Sequence, residues 1–199
     1  MSKEFWNDRY STTEYAYGVE PSKLLQEQLK LLKPGKILFP AEGEGRNSVY
    51  AATLGWDVVA FDQSEEGRKK AVALARSKNV TIDYQIESFE NIFFESESFD
   101  AIVLVFVHLP TKFRTIFFQK LLSCLKPGGV IILEGFSKKQ LQYSSGGPNE
   151  FDALYSIDEI QSDFKGLHLS ILEEKVVLLN EGPFHDGEAS VIRFIGKKR

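Results

Sequence analysis

The stretch Ala41-Glu42-Gly43-Glu44-Gly45-Arg46-Asn47 places two glycines and two acids just ahead of a segment with helical patterning. Glycines let backbone approach a ligand closely, and the first turn of the following helix offers free N–H groups. Asp62, followed by Gln63, lies 19 residues past Gly43, at the end of the next strand-like run. A carboxylate there can accept both hydroxyl protons of a ribose, and a spacing of about 20 residues is the one nucleoside-binding turns use. Each signal alone is weak, because short glycine pairs are common in turns and a strand-end acid can simply be solvated. Together they point to a nucleoside site. Glu87-Ser88-Phe89 adds one polar and one aromatic group able to flank an adenine.

A second set of residues could serve a second substrate: His108, Glu134, Gln140, Tyr143, Glu181 and His185. Glu134 ends an apolar run, where a carboxylate is costly unless it is paired or faces a ligand. Glu134 or His185 is the candidate for placing that substrate. His185 could equally be a turn residue bonded to backbone, and His108, just before Leu109-Pro110, a helix-entry residue. No metal site is expected, since His108, His168 and His185 are far apart and lack ligand spacing. No G-x-S-x-G elbow follows any strand, which excludes the common serine-hydrolase arrangement. Cys124 lies on the apolar side of a helix and reads as core.

The elements that must carry these residues alternate. Lys36–Phe39, Asp57–Phe61, Val80–Gln85, Phe99–Phe106 and Val130–Phe136 read as strands. Between them, Arg46–Leu54 reads as a helix ended by Gly55, and Ser64 caps a second helix reaching about Ser77. Thr111–Leu125 reads as a third, stopped by Lys126-Pro127-Gly128-Gly129. Near-continuous apolar runs such as FDAIVLVF belong in a sheet covered on both faces. After the fifth strand come a loop over Gln142–Asn149 and a short helix capped by Ser156 and Glu159. Two long strands, His168–Leu179 and Ala189–Gly196, are then joined closely enough to form a hairpin. The expected fold is α/β, a Rossmann-like doubly wound sheet of five parallel strands followed by a C-terminal antiparallel hairpin, seven strands in all. Ligands in such sheets sit beyond the carboxyl ends of the strands. Residues 1–33 are expected to form a helical cap or lid on a single domain spanning 1–199.

With 199 residues, 43% of them apolar, the chain can bury a substantial core. A net charge of −4 disfavours a broad nucleic-acid surface. One cysteine, no apolar leader and no long apolar run are expectations for a cytoplasmic protein with a small-molecule substrate and no membrane partner. Oligomeric state is open.

The strings ILFPAEGEGRNSVYAA, WDVVAFD, FDAIVLVFVHLP, LKPGGVIILEGF and EGPFHDGEASV, with FWNDRY and YAYGVEP near the start, resemble the class I S-adenosylmethionine-dependent methyltransferases. More narrowly, they resemble the small bacterial methyltransferases grouped with the tellurite-resistance methyltransferases. The likeness runs over nearly the whole chain. It implies S-adenosylmethionine as cofactor, with Gly43 and Gly45 facing its methionine part and Asp62 holding its ribose. It also implies that Ser88 and Phe89 border the adenine, that Val105–His108 lie near the sulfonium, and that Tyr17-Gly18 belongs to a lid. Ala41, Glu42, Arg46, Asn47 and Gln63 complete the implied cofactor set. Two positions depart from the class pattern: Phe39 stands where an acid is usual, and Ala41 where the first glycine is usual.

Methyl transfer from a sulfonium needs a general base only when the nucleophile carries a proton at neutral pH. Thiols and chalcogen oxyanions follow from the resemblance as acceptors. Two other readings compete. A nicotinamide-dependent oxidoreductase would want a third small residue where Ser48 stands. A degenerate fold that binds cofactor or partner without catalysis would account for Phe39 and Ala41.

Overall fold

The computed structural model describes residues 2–199, which group into two compact units, Met1–Phe93 with Glu181–Phe184 and Phe94–Asn180 with His185–Arg199. The first holds α1 (Lys3–Tyr10), α2 (Lys23–Leu29), β1 (Lys36–Pro40), α3 (Arg46–Thr53), β2 (Asp57–Asp62), α4 (Glu65–Ser77) and β3 (Asp83–Ile86). The second holds β4 (Phe99–Val105), α5 (Thr111–Cys124), β5 (Leu125–Phe136), α6 (Ile157–Asp163), β6 (His168–Asn180) and β7 (Asp186–Lys197). The strands form a seven-stranded sheet in the order β3-β2-β1-β4-β5-β7-β6. β1, β2 and β3 pair in parallel, as do β4 and β5, whereas β7 runs antiparallel to both β5 and β6. This is the Rossmann-like sheet with a reversed C-terminal hairpin that the alternation of elements predicts.

Local chemistry explains the boundaries. The Ser64 side chain accepts the Gly67 amide at 3.0 Å and starts α4, and Glu65 and Glu66 fill its first turn, where the helix dipole favours acids. Ser156 and Glu159 make a complete capping box on α6. β7 is buried along most of its length because β5 and β6 flank it, while β6 is the half-exposed edge.

Three boundaries differ from the sequence expectation. β3 starts at Asp83, not Val80, because the Val80 amide still bonds the Ala75 carbonyl at 3.0 Å and keeps the chain against the end of α4. β4 stops at Val105, since Phe106 takes a left-handed φ of 54°. Lys126–Gly129, expected as a stop, falls within β5 but bulges out of the β4 ladder: Leu125 pairs with Phe99 and Val130 with Ala101, and Gly128 takes a left-handed φ of 78°. The Gly128 amide bonds the Lys198 carbonyl and the Lys198 amide the Gly129 carbonyl, each at 2.9 Å, which ties this glycine turn to the chain just after β7.

Candidate active site

In the first unit, the loop between β1 and α3 opens with Ala41 at a φ of 49°, the left-handed region that glycine enters without steric cost. The class-pattern glycine is therefore replaced by a residue that must pay sterically, roughly 1–2 kcal/mol, to make the same turn. The Glu42 side chain curls over the start of α3 and accepts the amides of Asn47 at 3.0 Å and Ser48 at 2.6 Å. A helix N-terminus is the usual seat of a ligand's phosphate, and here the protein fills it with its own carboxylate. Burial pushes the Glu42 carboxyl up to about 7, against the opposing pull of the Ser48 amide and hydroxyl, the Arg46 charge and the Asn47 amide.

Asp62 closes β2 and is buried. Its carboxylate accepts the Gly43 amide at 3.1 Å and the Ser64 amide at 2.8 Å, and also the amide of Gln63. These bonds pull its pKa down, but burial outweighs them and pushes it up to about 6. Gly43 is held on its other side by the Tyr84 hydroxyl, which donates to its carbonyl at 2.6 Å. The two glycines of the loop differ in what they admit. A β-carbon on Gly45, whose φ is 88°, would lie 2.5 Å from the Ala71 β-carbon, so this glycine serves the packing of α3 against α4. A β-carbon on Gly43 would instead lie 2.6 Å from the Tyr10 hydroxyl. Ser88 and Phe89 follow β3 and are half-buried, with the Phe89 ring edge-on to Phe61 at 6.0 Å.

Three residues expected at the cofactor are tied to the N-terminal segment. Arg46 pairs with Glu181 at 2.9 Å and donates to the Glu20 carbonyl at 3.4 Å, while the Asn47 side chain accepts the Ser22 amide at 2.9 Å. Tyr17 donates its amide to Glu44 at 3.3 Å, and its hydroxyl accepts from Arg9 at 3.0 Å. The Arg46 side chain thus bridges Glu181 and the Glu20 carbonyl, and the Asn47 side-chain oxygen anchors Ser22. The residue that organises the segment is Glu44. Buried, it accepts the amides of Ala16 and Tyr17 and pairs with Lys70 at 2.7 Å. No spacing rule singles it out, since its partners come from 26 to 28 positions away.

In the second unit, β4 ends at half-buried Val105, and the left-handed Phe106 places its ring 4.6 Å from Phe136 and 4.5 Å from His185. His185 is buried in this aromatic group and lies 5.2 Å from Phe136. Glu134 is buried and paired with Arg193, which offers two nitrogens, each 2.8 Å from the same carboxylate oxygen. Of the two options that its burial posed, the ion pair is the one built. Gln140 is buried as well, donating to Ser145 and Gly146 and accepting the Ser190 amide at 2.8 Å, which holds the loop after β5 against β7.

His108 is corrected from catalytic candidate to structural bridge. The Phe136 amide donates to its Nε2 at 3.1 Å, which leaves Nδ1 to carry the proton and donate to the Ala153 carbonyl at 2.9 Å. Both ring nitrogens are spent, and burial pulls the imidazole down to about 4. A base must have its lone pair free toward substrate, and this one is not. The neighbouring Tyr155 hydroxyl donates to the Val107 carbonyl, so the chain after β4 is pinned on two sides.

Comparisons with known proteins bear on the fold that carries these residues. A family model described as a methyltransferase domain matches residues 37–129. A ubiquinone biosynthesis O-methyltransferase from Xanthomonas campestris pv. campestris is 28% identical over 137 residues, which is 67% of this chain and 56% of that protein. The chain therefore spans little more than half the length of the curated relatives it matches. Among solved structures, TehB from Haemophilus influenzae superposes with a TM-score of 0.74 at 19% identity, covering 99% of this chain and 67% of that one. Magnesium protoporphyrin IX methyltransferase from Synechocystis PCC 6803, solved with bound SAH, gives 0.70 at 15% identity and 99% coverage of both chains. These two likenesses speak for the fold. Residues 37–129 thus match the methyltransferase-domain family, and the seven-stranded sheet is the fold this chain shares with these methyltransferase structures.

Proposed function

We propose that this protein transfers the methyl group of S-adenosylmethionine to a small-molecule acceptor. The observation that carries the reading is the Glu42 carboxylate on the α3 amides. A nicotinamide dinucleotide would need those amides for its pyrophosphate and would meet a fixed acid there instead. A sulfonium nucleoside makes no such demand. Its positive sulfur and ammonium suit a loop lined by Glu42, Glu44 and Asp62, and its ribose hydroxyls suit Asp62, whose oxygens keep lone pairs beyond the amides they accept. Gly43 supplies a surface without a side chain, and Ser88 with Phe89 the flanks of the adenine.

The cofactor brings a methyl group already activated on sulfur. The residues then have to align the acceptor in line with that methyl and exclude water, and proximity supplies roughly 7–11 kcal/mol in such reactions. Val105 and Phe106 at the end of β4, with His185, are the side chains proposed to face the acceptor. Glu134 is read as acting through Arg193. Thiols and chalcogen oxyanions are the acceptor classes favoured by the resemblance to the tellurite-resistance group, and phenols by the ubiquinone-pathway relatives. The two units are read as one methyltransferase domain, a reading supported by a family match that runs from the first unit into the second.

A degenerate, non-catalytic fold remains the second reading. It is favoured by the strained Ala41 and by the amides already bonded to Asp62. Calorimetric titration with S-adenosylmethionine, its demethylated product and NAD separates these readings, with Asp62→Ala as control. Micromolar binding of the two sulfur nucleosides, lost in D62A, followed by turnover on a thiol, phenol or chalcogen panel, is the expected result. Binding without turnover on every acceptor would favour the degenerate reading, and preference for NAD would overturn both.

A further inference from the structure

Tyr10 ends α1 and is only 5% exposed. Its ring stacks on Trp6 with centroids 5.5 Å apart and meets Tyr17 edge-on at 6.4 Å. Two glycines make the slot it occupies. A β-carbon on Gly67 would lie 3.1 Å from the ring and 2.9 Å from the Gly43 carbonyl oxygen, and one on Gly43 would lie 2.6 Å from the Tyr10 hydroxyl. Gly67 stands in the first half of α4, where glycine is destabilising by about 1 kcal/mol relative to alanine. The close approach of Tyr10 and of the Gly43 loop is the reason for that glycine.

The slot accounts for an aromatic ring and would suit phenylalanine equally well. It does not account for the hydroxyl. Among the described residues none hydrogen-bonds to it, although it lies against Gly43 and within the field of the Asp62 carboxylate. Among the described residues the fully buried side-chain atoms without a partner are Trp56 Nε1 and Arg114 Nη1, so the Tyr10 hydroxyl keeps access to the space beside Gly43, where a bound molecule can meet it. Burial first, and the Asp62 charge second, hold this phenol protonated, which makes it a neutral donor among acids.

We propose that the Tyr10 hydroxyl donates a hydrogen bond to an oxygen of the bound S-adenosylmethionine, on its ribose or its methionine carboxylate, beside Gly43. The inference rests on the methyltransferase reading and adds α1 to the cofactor site. Around Gly43 the side chains Glu42, Glu44 and Asp62 can only accept when ionised. A cofactor oxygen brought among them requires a donor, and Tyr10 is the side chain placed to be one.

The test is titration of the full-length protein and its Tyr10→Phe variant with S-adenosylmethionine and with its demethylated product, beside thermal unfolding of each without ligand. The variant keeps the ring, the Trp6 stack and the glycine slot. Its unliganded melting temperature is expected to stay within about 2 °C of the parent, since the ring and its packing are kept. The dissociation constants for both nucleosides are expected to rise about tenfold, equivalent to about 1.4 kcal/mol. Affinity unchanged within about twofold overturns the role of Tyr10, and so does a loss of affinity matched by a fall in unliganded stability. If the parent protein binds neither nucleoside, the methyltransferase reading itself falls.

Discussion

The loop after β1 and the strand ends of the second unit handle charge in opposite ways. Around Gly43, acids are brought together and satisfied mainly by backbone amides: Glu42 by Asn47 and Ser48, Asp62 by Gly43 and Ser64, Glu44 by Ala16 and Tyr17. Of these three, Glu44 is the one in a salt bridge among the described residues, with Lys70. In the second unit, buried ions are neutralised pairwise, Glu134 by Arg193 and Asp163 by Arg114, and the remaining surface near Phe106 is aromatic. On the proposed reading, the amide-bound acids would seat a cationic cofactor, and pairwise cancellation would leave an apolar wall for the acceptor.

That contrast is most open to attack at the Glu134–Arg193 pair. Arg193→Ala leaves a buried carboxylate without its guanidinium, and breaking such pairs costs about 3–5 kcal/mol. Urea unfolding should show that loss, and the E134L/R193L double variant should recover most of it, while nucleoside affinity in the double variant stays near the parent. Recovery of stability with loss of cofactor binding would mean that the pair belongs to the site after all.

Acid titration should move stability by an intermediate amount. Glu42 and Asp62 have folded pKa values raised to about 7 and about 6 from 4.5 and 3.8. A raised carboxyl favours the fold while protonated. Its contribution is complete below the unfolded value and is lost as pH climbs through the folded one, from about 4 to about 7. Denaturant midpoints at pH 5 and pH 7.5 should therefore fall more steeply for the parent than for Glu42→Gln. Equal slopes would show that the amides of α3 keep Glu42 ionised and that burial counts for less.

The smallest effect is expected at Ala41. Ala41→Gly relieves a left-handed alanine, worth roughly 1–2 kcal/mol, but returns about 0.4–1 kcal/mol to the entropy of the unfolded chain. A gain below about 1.5 kcal/mol in unfolding free energy should result. A loss would mean that the methyl group packs usefully enough to justify its strain.

Much of the fold was legible because periodicity and capping are local. Ser64 and Ser156 carry their own helix starts, and FDAIVLVF can only be a strand covered on both faces. The pairing of Gly128 with Lys198 was not legible, since it joins residues far apart in the chain, whereas the turn that Lys-Pro-Gly-Gly signals survives within β5 as a left-handed Gly128. In the site, Asp62 and Gly43 could be read from their spacing. The parts played by Glu44, Arg46, Asn47 and His108 could not, because a polar side chain's function depends on which distant group reaches it first. One clue was present and not local in meaning: Gly67 within a helix, which makes sense only once Tyr10 lies against it.

By itself, then, the sequence determined the order and type of the elements, the acid at the end of β2, the glycine turn before α3 and the methyltransferase resemblance, all properties set by neighbours within a few residues. Only the tertiary structure decided that Glu42 fills the helix terminus, that Glu134 belongs to Arg193, that both nitrogens of His108 are spent, and that Tyr10 lies over Gly43. The first three of those outcomes are choices of hydrogen-bond partner made on burial, where an unpaired polar group is costly and the nearest donor or acceptor comes from elsewhere in the chain, and the fourth is a choice of packing partner.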